Sequence, residues 1–382
     1  MKRYLCWGFV YLCGMMLLCL NMMAQSFDNN WNIVIDDNFS DFLGWNTNTF
    51  TELSRYQGYQ PVWECFMNEH YTGVTTDGRH QAYQTSHAFL DGNNKMTLKA
   101  ELISNTAMVC DIDYSIPEGK NCTNSSHPNP PQNIFYFSGT IETTNMCWFG
   151  YYELKCKLPA HLGEKTSFWL FGTGPHSYEE IDIFEQSYID SSNQLDKGFS
   201  CGIHYNPDST SYQGAHNTVK LFYLIENGYP DLSQEHTYAC EWLPDKVTWF
   251  FDGEVIFVCN DRDEIPQHPM RLKITHPVLH NAVSNNGPLW NGSDAVIISY
   301  VKYNQLEFDC DTDMTIRNVN DVNNYQPGVK HSVVIGSSGG LEIPANMNIA
   351  VRASESITID NQLTIPSGAQ VTMIVQGCPD LE

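Results

Sequence analysis

Three acids sit within six residues of this chain: Glu180-Ile181-Asp182-Ile183-Phe184-Glu185. In an extended strand residues i and i+2 share a face, so Glu180 and Asp182 point one way and Ile181 and Ile183 the other. Strict alternation would turn Glu185 away from its neighbours. One extra residue at Ile183-Phe184, a β-bulge, returns it to their face. Like charges side by side disfavour one another, so the cluster asks for a cause, and three compete. A solvated acidic edge strand is the common one, but Ile181, Ile183 and Phe184 argue for a buried opposite face. Calcium takes carboxylate ligands, yet a flat strand without a turned loop cannot wrap an ion. The third is cleavage of a glycosidic bond, which uses one ionised carboxylate at the anomeric carbon and one protonated carboxyl at the leaving oxygen. In retaining enzymes the two lie roughly 5–5.5 Å apart. Glu180 and Glu185 are long enough to converge over a curved strand. Asp182 between them could hydrogen-bond Glu180 and help keep the proton on Glu185.

Such a strand needs a sheet around it. Helical periodicity is almost absent, and short runs rich in Val, Ile, Tyr, Phe, Trp and Thr recur between turn signals, the pattern of an antiparallel sandwich. Strands are expected at Trp31–Asp36, Lys95–Leu102, Tyr151–Leu158, Thr166–Phe171, Glu180–Gln186, Gly202–Tyr205, Thr237–Trp242, Val247–Phe251 and Ala295–Tyr303. A Pro-rich stretch from about Ser104 to Gln132 reads as a long loop at a binding rim. Around Phe308 the composition changes: Trp disappears and small polar residues alternate with Val and Ile. Leu341-Glu342-Ile343-Pro344 recurs 22 residues later as Leu363-Thr364-Ile365-Pro366. Two copies suggest a stacked-hairpin or solenoid-like module, with sorting, attachment or carbohydrate binding as its role, or none.

With 382 residues the chain can bury a large β domain and a smaller one. The expected division is a signal peptide over 1–24, a main domain over 25–305 and a C-terminal β module over 306–382. Against 44 Asp and Glu stand only 20 Lys and Arg, a net charge of −24. That excess repels phosphate backbones and anionic membranes, which argues against nucleic acid as a partner. Met1-Lys2-Arg3, the apolar run from Tyr4 to about Leu20 and Ala24 compose a secretory signal cut after Ala24, with a single membrane anchor as the other reading. The mature chain is then secreted, periplasmic or at the cell surface, not inserted in a membrane, and is expected as a monomer. Ten of the 13 cysteines remain after the signal. No CxxC spacing suggests a zinc site, so no metal ligand set is assigned. Cys110 and Cys122 bracket the Pro-rich loop as the natural disulfide. Cys147, Cys156, Cys201 and Cys240 lie in strand-like runs, equally suited to bridges or buried thiols.

The hexapeptide resembles the E-[IL]-D-x-x-E signature of glycoside hydrolase family 16 in its bulged, laminarinase- and agarase-like form. Other stretches agree in order: Asn38-Phe39 near Trp31 and Trp45, Phe137-Ser138-Gly139-Thr140-Ile141, Phe149-Gly150-Tyr151-Tyr152-Glu153-Leu154-Lys155 with Leu158-Pro159, Phe168-Trp169-Leu170, and His236-Thr237-Tyr238-Ala239-Cys240-Glu241-Trp242 followed by Asp252-Gly253-Glu254. The resemblance runs from about residue 30 to 304. It implies an all-β fold, a concanavalin-like β-jelly-roll sandwich with a concave substrate cleft. It also implies a retaining double displacement with Glu180 as nucleophile, Asp182 as assisting carboxylate and Glu185 as general acid/base. Two departures touch substrate choice: Glu179 stands where laminarinases often carry Gly, and Lys165-Thr166-Ser167 replaces an aromatic-bearing lead.

Sugar rings stack on aromatic faces and are oriented by hydrogen bonds. Trp169, one strand before the acids, is the first choice for the cleft. His204 matches a cleft-facing family histidine, with Tyr205 beside it. Trp148 and the loop-borne Trp290 complete the candidates. Each also has a plain structural reading as core or satisfied polar group. The expectation is a secreted, endo-acting retaining glycoside hydrolase on a β-linked polysaccharide, a β-1,3-glucan or a β-galactan or β-galactoside. A transglycosylase, or a non-catalytic lectin on the same sandwich, is the alternative. Two carboxylates need no cofactor; a structural calcium ion of the kind relatives carry on the convex face is compatible with the sequence.

Overall fold

The computed structural model describes residues 32–43, 62–65, 81–109, 132–159, 161, 163–176, 178–187, 198–205, 216–223, 230–278, 283–284, 287–288, 292–324 and 328–379. The expected signal segment, Cys110, Cys122, Trp31, Trp45 and Trp290 lie outside the described residues. No helix among the described residues is long and apolar enough to cross a membrane.

Among those residues, ten strands make one sheet and seven make a second. Each of the nine expected strands is present, within three residues at its ends except for the one expected over Lys95–Leu102, which runs on to Val109. The acids belong to the seven-stranded sheet, whose order is His216–Tyr223, Phe199–Tyr205, Glu180–Ser187, Lys165–Phe171, Arg271–Thr275, Thr140–Thr143 and Trp63–Glu64, all antiparallel. The larger sheet is built around Gly150–Lys157, His236–Leu243, Lys246–Phe251 and Ser293–Gln305. Alternation sends one face of each sheet inward. Ile181, Ile183 and Phe184 from the first meet Tyr238, Trp242 and Trp249 from the second in one continuous core. Phe184 packs on Tyr238 with ring centroids 4.1 Å apart. This is the jelly-roll sandwich, and it leaves the other face of the seven-stranded sheet for a ligand.

One expectation needs correction. The long loop assigned from Ser104 begins later, because Met96–Val109 runs on as a strand and pairs Val109 with Gln132. Ser104, Asn105 and Thr106 fall in its register shift, between Leu102 and Ala107, where the ladder is interrupted by a bulge.

From Phe308 the pairing changes to parallel. Val329–Ile335, Asn348–Ile359 and Gln370–Val375 stack side by side, and Leu341 lies against Leu363 in a second small parallel sheet. Parallel neighbours exclude hairpins and give solenoid coils, with the 22-residue repeat as one coil. Ile316, Val333, Ile335, Leu341, Ile349 and Val351 fill the interior. A Cys310–Cys378 disulfide, Cα atoms 6.5 Å apart, ties the ends of this segment. It packs on the outer face of the larger sheet, where Tyr151, Ala239, Leu243 and Phe250 meet Leu306 and Val329. Arg352 reaches the same face and donates to Glu241 at 3.1 Å, both buried.

Candidate active site

The ladder through the acid strand carries the predicted irregularity. Asp182 lies opposite Trp169, yet Phe184 lies opposite Phe168, so Ile183 is the extra residue against Lys165–Phe171. Against Phe199–Tyr205 the shift falls between Asp182 and Glu185. Ile183 and Phe184 both turn into the core, at 2% and 0% exposure. Glu180, Asp182 and Glu185 therefore share the opposite face. Trp249 of the facing sheet fixes the turn, its indole N–H donating to the main-chain carbonyl of Asp182 at 2.9 Å.

The acids have different surroundings. Asp182 is the most enclosed. His204 Nε2 lies 3.1 Å from its Oδ2, while its Oδ1 has no hydrogen-bond partner among the described residues. Polar atoms of Glu180, Asp182 and His204 gather within 4.8 Å of one another. Register explains the grouping, since His204 is the direct cross-strand partner of Glu180. Glu185 stands beyond the bulge, between Ser167 and Ser200, and pairs with Lys165. Lys165 belongs to the stretch that departs from the family pattern. That departure thus supplies a cation to the third acid.

Of the aromatic candidates, Trp169 lies on the acids' face. Its ring sits 5.3 Å from that of Phe171, and Lys273 Nζ lies 5.5 Å above it. Glu142 accepts from Lys273 at 2.7 Å, and Arg271 joins Glu142 and Glu64. This row of charges, buried at Lys273 and Glu142 and half-buried at Arg271 and Glu64, continues the acids' face across three further strands, and the sequence reading missed it. Alternation separates the pair at 204–205. His204 joins the acids, whereas Tyr205 is packed into the intersheet core. Trp148 is half-buried, its indole donating to the Gln267 carbonyl at 2.9 Å and its ring against Phe149 and Phe308.

Glu179, noted only as a departure, also has a defined place. The hairpin before it is closed by Gly172 N–H donating to the Glu179 carbonyl at 2.9 Å. A Cβ at Gly172 would collide with the His176 carbonyl oxygen, so the turn requires glycine. The buried Glu179 carboxyl lies 2.6 Å from His268 Nδ1 and 3.3 Å from His176 Nδ1. Burial pushes its pKa above the ordinary carboxylate range, and the two imidazoles oppose that push. The cysteines at 147, 156, 201 and 240 are buried free thiols.

A sandwich with three carboxylates of one strand on one face is the architecture that the sequence resemblance implied. The family model described as glycosyl hydrolases family 16 matches residues 76–288, and the chain belongs to that family. A xylanase/beta-glucanase of Ruminococcus flavefaciens is 29% identical over 147 residues, 38% of this chain and 16% of the relative. An endo-1,3-1,4-beta-glycanase, ExsH, of Rhizobium meliloti (strain 1021) is 26% identical over 176 residues, 46% of this chain and 34% of the relative. The chain thus spans about a third or less of these curated relatives. Among solved structures, one from work on endo-acting O-glycanases of human gut microbiota that initiate mucin breakdown has a TM-score of 0.50 at 21% identity. It covers 72% of this chain and 91% of that one, a likeness of fold.

Proposed function

We propose that this chain is an exported, endo-acting glycoside hydrolase that cleaves a β-linked polysaccharide with retention of configuration. The observation that carries the reading is the bulge at Ile183, which sets Glu180, Asp182 and Glu185 on one face. Glu180 attacks the anomeric carbon while Glu185 protonates the leaving oxygen. Water, deprotonated by Glu185, then releases the sugar from Glu180. Asp182 and His204 hold Glu180 in place during both steps, and Trp169 supports a sugar ring beside them. The β-glucanase relatives make a β-glucan the first substrate to try, with a β-galactan or β-galactoside second.

The test uses a polysaccharide panel with the full chain, Glu180→Gln and Glu185→Gln. Losing a nucleophile or a general acid should lower the rate on an accepted glycan by at least ~100-fold. Early products read by proton NMR should keep the anomeric configuration of the substrate. Near wild-type rate in either variant ends the assignment, and inverted products end the double displacement. Glycan binding without any product would favour the lectin reading.

A further inference from the structure

A second cluster of chemically capable side chains lies at the start of the Lys165–Phe171 strand, apart from the acids. Three segments bring it together: the turn at His161 and Glu164, His276 just after Arg271–Thr275, and Asp294 in Ser293–Gln305. Main-chain pairing locks the first two segments, with Lys165 N–H donating to the Pro277 carbonyl at 2.9 Å and Glu164 bridged to Val278. His161 Nδ1 lies 2.7 Å from Asp294 Oδ2 and 3.7 Å from Glu164 Oε2, and one donor atom from each residue falls within 4.8 Å of the others.

Two features set this cluster apart from an ordinary surface ion pair. Glu164 is fully buried, and its Oε1 has no hydrogen-bond partner among the described residues. His276 is equally buried, and its Nε2, also without a partner, lies 3.6 Å from that oxygen. Burying a carboxylate with half its acceptor capacity unused is costly unless a positive charge stands by. The adjacent cation, Lys165, is committed to Glu185. An imidazole and a carboxylate from one turn meeting a second carboxylate from another strand, with a buried imidazole behind the first carboxylate, make a ligand shell with its supporting partner.

We propose that His161, Glu164 and Asp294 bind one divalent transition-metal ion of the zinc class, with His276 holding Glu164 from behind. Tetrahedral zinc with bonds of about 2.0–2.2 Å has ligand–ligand edges of roughly 3.3–3.6 Å, so on binding the 2.7 Å His161–Asp294 hydrogen bond would open and the 3.7 Å His161–Glu164 contact would barely move. An imidazole among three ligands favours zinc-like ions over calcium, which takes six to eight oxygens. A water completes the shell on the exposed side, since His161 and Asp294 are only partly covered. The rival cluster of His176, Glu179 and His268 is less suited. Its imidazoles stack with centroids 3.6 Å apart at 19°, so their in-plane lone pairs run alongside each other without converging.

The test is zinc titration calorimetry on the untagged, EDTA-dialysed full chain, with a thermal melt in parallel. One ion should bind per chain and raise the melting temperature, because an ion that binds only the folded state stabilises it. His161→Gln and Asp294→Asn should each abolish both effects while melting like the wild type in EDTA. His276→Gln should weaken binding by about 10- to 100-fold. Calcium should not compete. Absence of zinc uptake overturns the proposal. So does uptake that survives both His161→Gln and Asp294→Asn, or that is lost in His268→Gln instead.

Discussion

Trp249 and Asp182 are joined across the sandwich: the indole of one donates to the main-chain carbonyl of the other at 2.9 Å. The bond lands where the ladder slips, on the residue preceding the extra one. Both partners are buried, so replacing Trp249 with Phe leaves a carbonyl unsatisfied. Stability should fall by about 1–3 kcal/mol in urea unfolding. If the bond also holds the acids in line, kcat should drop about 10-fold or more with little change in KM.

The buried thiols give a chemical readout of packing. Burial pushes Cys147 and Cys201 up to about 12, the latter helped by nearby Asp182. At neutral pH neither offers thiolate to an alkylating reagent. Iodoacetamide followed by peptide mass spectrometry should find both unmodified in the native protein and modified in denaturant.

Arg352 and Glu241 form a buried pair between the solenoid and the outer face of the large sheet, with Gln376 accepting from Arg352 at 2.6 Å. Removing Arg352 leaves Glu241 only the half-exposed Lys246, 3.9 Å from its other oxygen. Arg352→Ala should cost up to about 3 kcal/mol, because Lys246 offsets part of the penalty of an unpaired buried charge, and a double replacement by apolar residues much less. A double-mutant cycle by urea unfolding measures the difference.

His87 supplies a pH dependence. Burial pushes its imidazole below the ordinary value of 6.5, with Glu101 at 3.4 Å working against that push. The folded state therefore binds this proton less readily than the unfolded chain. Its contribution to stability is complete above pH 6.5 and is lost as pH falls from there toward the folded value. The drop in melting temperature between pH 7.5 and pH 5 should be smaller in His87→Gln than in the wild type.

What could be read beforehand follows from how local each signal is. The bulged strand was legible because its period, its acids and its inward isoleucines lie within six residues. The solenoid repeat was legible as a spacing, and only the parallel pairing of Leu341 with Leu363 told coils from hairpins. Alternation alone could have sent Tyr205 inward once His204 was assigned to the acids. Other features depend on distant partners. Glu179 meets His268 across 89 residues and Glu241 meets Arg352 across 111. Their charges look like any others in the sequence. Lys165 drew attention only as a missing aromatic, because its pairing with Glu185 appears when two strands are laid side by side.

The stacked coils behave almost one-dimensionally, each touching only its neighbours. Their docking surface is the outer face of the large sheet, while the acids look out from the far side of the other sheet. The last coil is held as firmly as the first, by the Cys310–Cys378 disulfide and by Gly377 N–H donating to Asp245 at 2.8 Å, so the spiral is closed at both ends against the sheet that carries it. Strain in this appendage would reach the outer sheet before it reached the acids, which lie on the opposite side of the sandwich.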